Sequence, residues 1–191
     1  GTLVHDMLEK CFRYAKSRDK VIAKMEKYDL FSLVDEAVNE NMVSEKNSIF
    51  KESNKSKYQL EKIVRMTKLT MLVLSRQLAA GDFEASFFEK SFGERDNLEA
   101  LNIELKNNAK MYLRGKIDRV DTYVDEDKTL VKIIDYKTGN MKWELDMPFY
   151  GRALQLVIYL DAVMEQLTKA GKEVLPAAFF YYHIDSPFLT R

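Results

Sequence analysis

Two neighbouring segments, "KMYLRGKIDRVDTYV" (110–124) and "TLVKIIDYK" (129–137), constrain the fold more than anything else in the chain. Both are rich in β-branched and aromatic residues, and only the polar Asp125-Glu126-Asp127-Lys128 separates them, a loop of hairpin length. The register that pairs Val124 with Thr129 also sets Asp118 directly across from Asp135. Opposed side chains on a sheet have Cβ atoms about 4.5–5.5 Å apart, and like charges there repel. Something must offset the repulsion: protonation of one acid, a neighbouring cation, or a divalent metal that takes both as oxygen ligands. Alternation with period two brings Lys137 onto the same face, about 7 Å along the strand from Asp135. The other face carries Lys132 against Asp121, an ordinary cross-strand ion pair, with Ile117 near Tyr136. Two accounts stay open on geometry alone. The acids are either solvated strand-end charges paired with Lys137, Lys116 and Arg119, or part of a site. The continuous apolar flanks "VKII" and "GKI" favour strands buried on both faces, whose charges emerge into a cleft.

Elsewhere the texture changes once. Through residue 80 apolar residues recur at spacings of three and four, as in helices: Val4, Met7, Leu8 and Cys11 form one stripe, and Leu30, Phe31, Val34 and Val38 another. The longest helix is expected over 56–80, with Leu60, Ile63, Val64, Thr67, Met71, Leu74 and Leu78 on one side and Gly81 as a stop. The polar stretch 39–57 is expected to be a loop. From Phe83 the segments 83–92, 99–106, 110–124, 129–137 and 176–185 read as strands, interrupted by one helix over 151–170 that ends at Gly171. This order implies a mixed α/β fold, a four- or five-stranded mixed sheet flanked by helices, with a helical N-terminal region. The chain is expected to be a single domain over 1–191, with a helical region over 1–82 and a sheet core over 83–191, where any metal site formed by the paired acids would lie. Starting on Gly1 and ending on "PFLTR", it reads as a piece of a longer polypeptide.

Thirty basic and thirty acidic residues give no net charge, so a polyanionic partner must meet a local patch. Arg13, Lys16, Arg18, Lys20, Lys24 and Lys27 form the best candidate for gripping a polyanion's backbone, and otherwise a solvated face. Cys11 is the sole cysteine. That excludes an internal disulfide framework and a multi-cysteine metal centre within this chain, fits a reducing, cytoplasmic setting, and leaves a buried thiol. No stretch approaches the roughly 18 apolar residues of a membrane span.

Four motifs then stand in order: Gly1-x-x-x-His5 on a helix, Gly115-x-Ile117-Asp118-Arg119 on a strand, Asp135-Tyr136-Lys137-Thr138-Gly139 on the next, and Gln155-x-x-x-Tyr159 on the later helix. With this order and spacing the chain resembles the RecB-type nucleases of the PD-(D/E)xK superfamily, most of all the AddB-type nuclease domains, over almost its whole length. The resemblance implies a restriction-endonuclease-like core and hydrolysis of DNA phosphodiesters with Mg²⁺ or Mn²⁺. It assigns Asp118, Asp135, the Tyr136 carbonyl and His5 to the metal, and Lys137 to the attacking water and the developing charge. Gln155 and Tyr159 would orient catalytic groups or the DNA backbone, and Glu89 sits where such chains often have an acid on an early strand. The implied partners are DNA, single-stranded, and the helicase subunit of the same complex, in double-strand-break repair, with no membrane. Such chains often carry four cysteines for an iron-sulfur cluster; those are absent here, so any cluster belongs to a longer parent. Arg119 is expected to pair with local acids and His183 to pack among aromatic strand residues. The rival expectation is a nuclease-dead module that binds single-stranded DNA or docks a partner subunit, and a third is a CRISPR-associated or phage exonuclease.

Overall fold

The structure is a computed structural model that describes residues 2–43, 54–92, 101–104, 110–113, 115–138 and 154–184. Gly1 and Gly139 of the motifs lie outside these residues. The backbone forms two compact units, one built on Gly1–Asp82 and the other on Phe83–Tyr182.

The first unit holds α1 (Thr2–Ser17), α2 (Lys27–Val43) and α3 (Asn54–Ala79), with a short 3-10 turn at Ile22–Lys24. The α1 stripe buries as expected at Val4, Met7, Leu8 and Cys11; on α2 the buried residues are Leu30, Leu33, Val34 and Ala37, with Phe31 and Val38 half-buried, and on α3 Thr67, Met71 and Leu74 are buried while Leu60, Ile63, Val64 and Leu78 are half-buried. Polar groups in this core find backbone acceptors, as burial without one costs stability: Thr67 Oγ1 donates to Ile63 O at 2.9 Å and Ser75 Oγ to Ile22 O at 2.8 Å. The helix α1 closes with Asp19 in the left-handed region (φ 52°) and Lys20 N–H donating to Ala15 O at 2.9 Å, the αL ending usually given to glycine. Both described ends of the expected loop over 39–57 are helical. The helix α2 continues to Val43 because Asn41 is buried and spends its amide on Ala37 O at 2.9 Å, while α3 already starts at Asn54. The part over 44–53 lies outside the described residues. Burial pushes the Cys11 thiol up to about 12, so it stays protonated and inert.

The second unit is a four-stranded mixed sheet in the order β1 (Glu84–Phe92), β4 (Gly115–Asp125), β5 (Lys128–Thr138), β6 (Glu173–Ile184), and a separate antiparallel pair of β2 (Leu101–Glu104) and β3 (Lys110–Leu113). Within the segment read as one strand over 110–124, β3 pairs with β2 and β4 with β1 and β5, and residue 114 between them lies outside the described residues. The hairpin register is as expected: Val124 pairs with Thr129, Asp121 with Lys132 and Arg119 with Ile134. Pairing extends to Asp125 and Lys128, leaving a two-residue turn at Glu126-Asp127.

Central positions explain the continuous apolar runs of β4 and β5, which have neighbours on both sides. The helix α4 (Leu154–Lys169) packs on β5, and Leu156, Tyr159, Leu160 and Val163 join Val120, Val131 and Ile133 in the core. It ends where expected: Gly171 adopts φ 82°, and Lys172 N–H reaches back to Leu167 O at 3.3 Å. The edge strand β6 starts at Glu173, three residues before the expected 176, because an edge tolerates Pro176 within a strand.

Candidate active site

Asp118 and Asp135 stand on the two central strands of the sheet, β4 and β5. Asp118 lies one step past the Arg119–Ile134 pair, and its Oδ2 accepts the Tyr136 N–H at 2.7 Å, so β5 hands a backbone donor to the acid on β4. Asp135 is buried, 4% exposed, and Lys137 Nζ stands 2.5 Å from its Oδ2. The strand period thus delivers the lysine to the acid's own face. Burial pulls the Lys137 ammonium down, but its hydrogen bond to Asp135 and that carboxylate's charge outweigh this and hold it above the ordinary lysine value. It is therefore a cation at neutral pH, suited to steadying negative charge rather than removing a proton.

A third acid, Glu89, stands beside Asp118. The strand β1 pairs Ala85 with Asp121 but Phe87 with Val120, so a bulge at Ser86 shifts the register by one residue. Ser86 Oγ is tied to Thr122 Oγ1 at 2.6 Å there. Without the bulge Phe88 would face Asp118; with it, Glu89 does, between the Phe88–Arg119 and Lys90–Ile117 pairs. Glu89 also adopts φ 49°, a left-handed conformation that costs of order 1–3 kcal/mol in a residue other than glycine and gathers at functional sites. Carboxylate oxygens of Glu89 and Asp118 lie within 4.8 Å of each other, and Lys116 Nζ pairs with Glu89 Oε2. The sequence signal for this residue was weak, since a bulge leaves only a broken alternation, the doubled Phe87-Phe88, as its trace.

On α4, Gln155 Nε2 donates to Tyr159 Oη at 2.5 Å, as their i, i+4 spacing allows. Tyr159 is packed into the core, and Gln155 is its exposed partner. The Tyr181 phenol on β6 links this helix to the acids. Burial pushes it up, Asp135 and Tyr159 add to that, and Lys137, 5.4 Å from the ring centre, eases it. His5 is half-buried on α1 in the helical unit, and His183 is half-buried on β6. Of the basic run, Arg13 pairs with Glu9 and Arg18 with Glu36 at 2.7 Å, whereas Lys16, Lys20 and Lys24 are exposed.

The face behind the acids is not the ordinary one expected. Arg119 is 1% exposed and Asp121 fully buried; Arg119 grips Asp121 with both prongs, Nε to Oδ1 at 2.6 Å and Nη2 to Oδ2 at 2.7 Å. Lys132 adds its amine to Asp121 at 2.9 Å, and Arg119 Nη1 donates to Tyr136 Oη at 3.2 Å. Burial pushes the Tyr136 phenol up to about 12, so it is a neutral hydroxyl.

The chemistry of the donors suits a divalent cation: hard carboxylate oxygens of Glu89 and Asp118 lie within 4.8 Å of each other in a partly buried setting, and the next strand carries Asp135 with the Lys137 ammonium against it. Matching these features, the whole chain, residues 1–191, belongs to the PD-(D/E)XK nuclease superfamily, and the sheet with its central hairpin is that family's restriction-endonuclease-like core. It is 35% identical over its full length to an ATP-dependent helicase/deoxyribonuclease subunit of Clostridium tetani, covering 17% of that protein. The protein of the same name from Alkaliphilus oremlandii is 34% identical over 99% of the chain and 17% of the relative. That from Thermoanaerobacter sp. strain X514 is 31% identical over 99% of the chain and 16% of the relative. The chain thus spans about a sixth of the length of the curated relatives it matches. Among the described residues, no helix is long and apolar enough to cross a membrane.

Proposed function

We propose that this chain is a Mg²⁺- or Mn²⁺-dependent deoxyribonuclease domain that hydrolyses phosphodiester bonds in DNA. The observation that carries the reading is the approach of Glu89 and Asp118 on β1 and β4 to within 4.8 Å between their carboxylate oxygens, with the Asp135–Lys137 pair on the adjoining strand β5. Asp118 and Asp135 hold the metal, with Glu89 as a third carboxylate. The family resemblance adds the Tyr136 carbonyl and His5 as further ligands. When bound, a divalent ion supplies Lewis acidity toward the phosphate and a more acidic water. The Lys137 ammonium orients the attacking water and steadies the charge that develops on the phosphate oxygens. Gln155 and Tyr159, locked to each other, orient the substrate backbone beside Asp135. Of the basic run 13–27, the exposed Lys16, Lys20 and Lys24 are offered to a polyanion on the helical unit.

Relatives named helicase/deoxyribonuclease subunits support a wider setting. In it, a helicase subunit of the same cytoplasmic complex feeds single strands to this domain during double-strand-break repair. Incubating the chain with linear single-stranded DNA and Mg²⁺ tests the core of the reading. Degradation is expected, and EDTA should abolish it. DNA binding without cleavage under Mg²⁺ and Mn²⁺ alike would instead make the chain a nuclease-dead binding module.

A further inference from the structure

Each proposed site residue on β4 and β5 has a neighbour in sequence that belongs to the buried network on the opposite face of the sheet. Arg119 follows Asp118, and Tyr136 sits between Asp135 and Lys137. The regular pairing of β4 with β5 runs from Asp125–Lys128 to Arg119–Ile134, one step short of Asp118. Beyond that step two side-chain bonds tie the strands. Tyr136 N–H donates to Asp118 Oδ2 at 2.7 Å, and Arg119 Nη1 donates to Tyr136 Oη at 3.2 Å. Tyr136 is therefore held at both ends, its amide by the acid in front and its phenol by the arginine behind.

We propose that Arg119, anchored by Asp121, is a positioning residue for the metal centre: by gripping the Tyr136 phenol from behind, it fixes the strand carrying Asp135 and Lys137 against the strand carrying Asp118. The inference rests on the metal-site reading above. Arg119 touches no reacting atom. Its forked guanidinium holds Asp121 through two nitrogens and still offers a third to the phenol, which a lysine's single ammonium does not reproduce. The Tyr136 ring has a separate support, an edge-on contact with Tyr182 at 5.8 Å between centroids. Removing the hydroxyl alone therefore leaves the ring packed.

The test compares the chain with Tyr136→Phe, Arg119→Lys and Lys132→Met, by Mn²⁺ titration calorimetry without DNA, thermal melting, and cleavage rate against Mn²⁺ concentration. Tyr136→Phe is expected to stay folded and to bind Mn²⁺ about tenfold more weakly, the effect seen when the partners of metal ligands are lost. Its cleavage rate should recover at saturating Mn²⁺. Arg119→Lys should show the same weakening, and provides the reading if Tyr136→Phe does not fold. Lys132→Met removes the outer arm of the network without touching Tyr136, so it should lower melting and leave Mn²⁺ affinity unchanged. A purely structural role predicts the opposite pattern, with melting lowered in every variant and Mn²⁺ affinity within about twofold of the parent, below the tenfold or more that lost ligand partners cost. That result overturns the inference and leaves the nuclease reading standing. A parent chain that binds no Mn²⁺ overturns both.

Discussion

Asp135→Asn and Asp118→Asn are each expected to lower cleavage of linear single-stranded DNA by on the order of a thousandfold or more, with the fold retained. Asparagine keeps the shape of the side chain and one oxygen but removes the charge. At Asp135 it also removes the partner that holds Lys137 at 2.5 Å. At Asp118 it keeps an oxygen for the Tyr136 amide, so β4 and β5 stay tied while the charge that draws a cation is gone. Stability should not suffer, because one of two closely placed like charges disappears. Specific activity of the purified variants, set beside their circular dichroism, checks both halves. Either variant keeping more than about a tenth of the parental rate would contradict the assignment, since replacing an interaction made in the transition state costs at least a hundredfold.

The largest effect on folding is expected at Arg119. Arg119→Met should cost about 3–5 kcal/mol, because it leaves the Asp121 carboxylate fully buried with only the Lys132 amine against it. The guanidinium is held above its ordinary value: burial works against its charge, but the Tyr136 oxygen and the Asp121 carboxylate outweigh that. The double variant Arg119→Met/Asp121→Leu should regain much of the loss, since apolar groups of similar volume replace buried ion pairs at little cost. Urea unfolding of the three proteins measures this directly. A single variant within about 1 kcal/mol of the parent would show that the pair is not desolvated as the structure has it.

The parts of the fold that were legible follow a simple period. The α1 stripe buries as its spacing of three and four implies, the middle of the α3 stripe does at Thr67, Met71 and Leu74, and the β4–β5 register follows from one short polar turn. Gln155 and Tyr159 meet because they stand one helical turn apart. What was not legible depends on breaks in a period or on tertiary neighbours. The bulge at Ser86 decides whether Phe88 or Glu89 faces Asp118, and one residue of register moves every later side chain on β1 to the other face. The change of partner within 110–124, from β2 for its first four residues to β1 and β5 from Gly115 on, leaves no trace in the alternation. The depth of the Arg119–Asp121 pair comes from its place on the central strand β4, which β1 flanks on one side and β5 on the other. Nothing in "IDRVD" taken alone distinguishes such a pair from a solvated one.

Crystals of the chain soaked in Mn²⁺ and measured at the manganese edge test the central claim most directly. The account predicts one strong anomalous peak about 2.1 Å from carboxylate oxygens of both Asp118 and Asp135, with Glu89 alongside. Manganese bound elsewhere, or a peak that touches only one of those two aspartates, would contradict it.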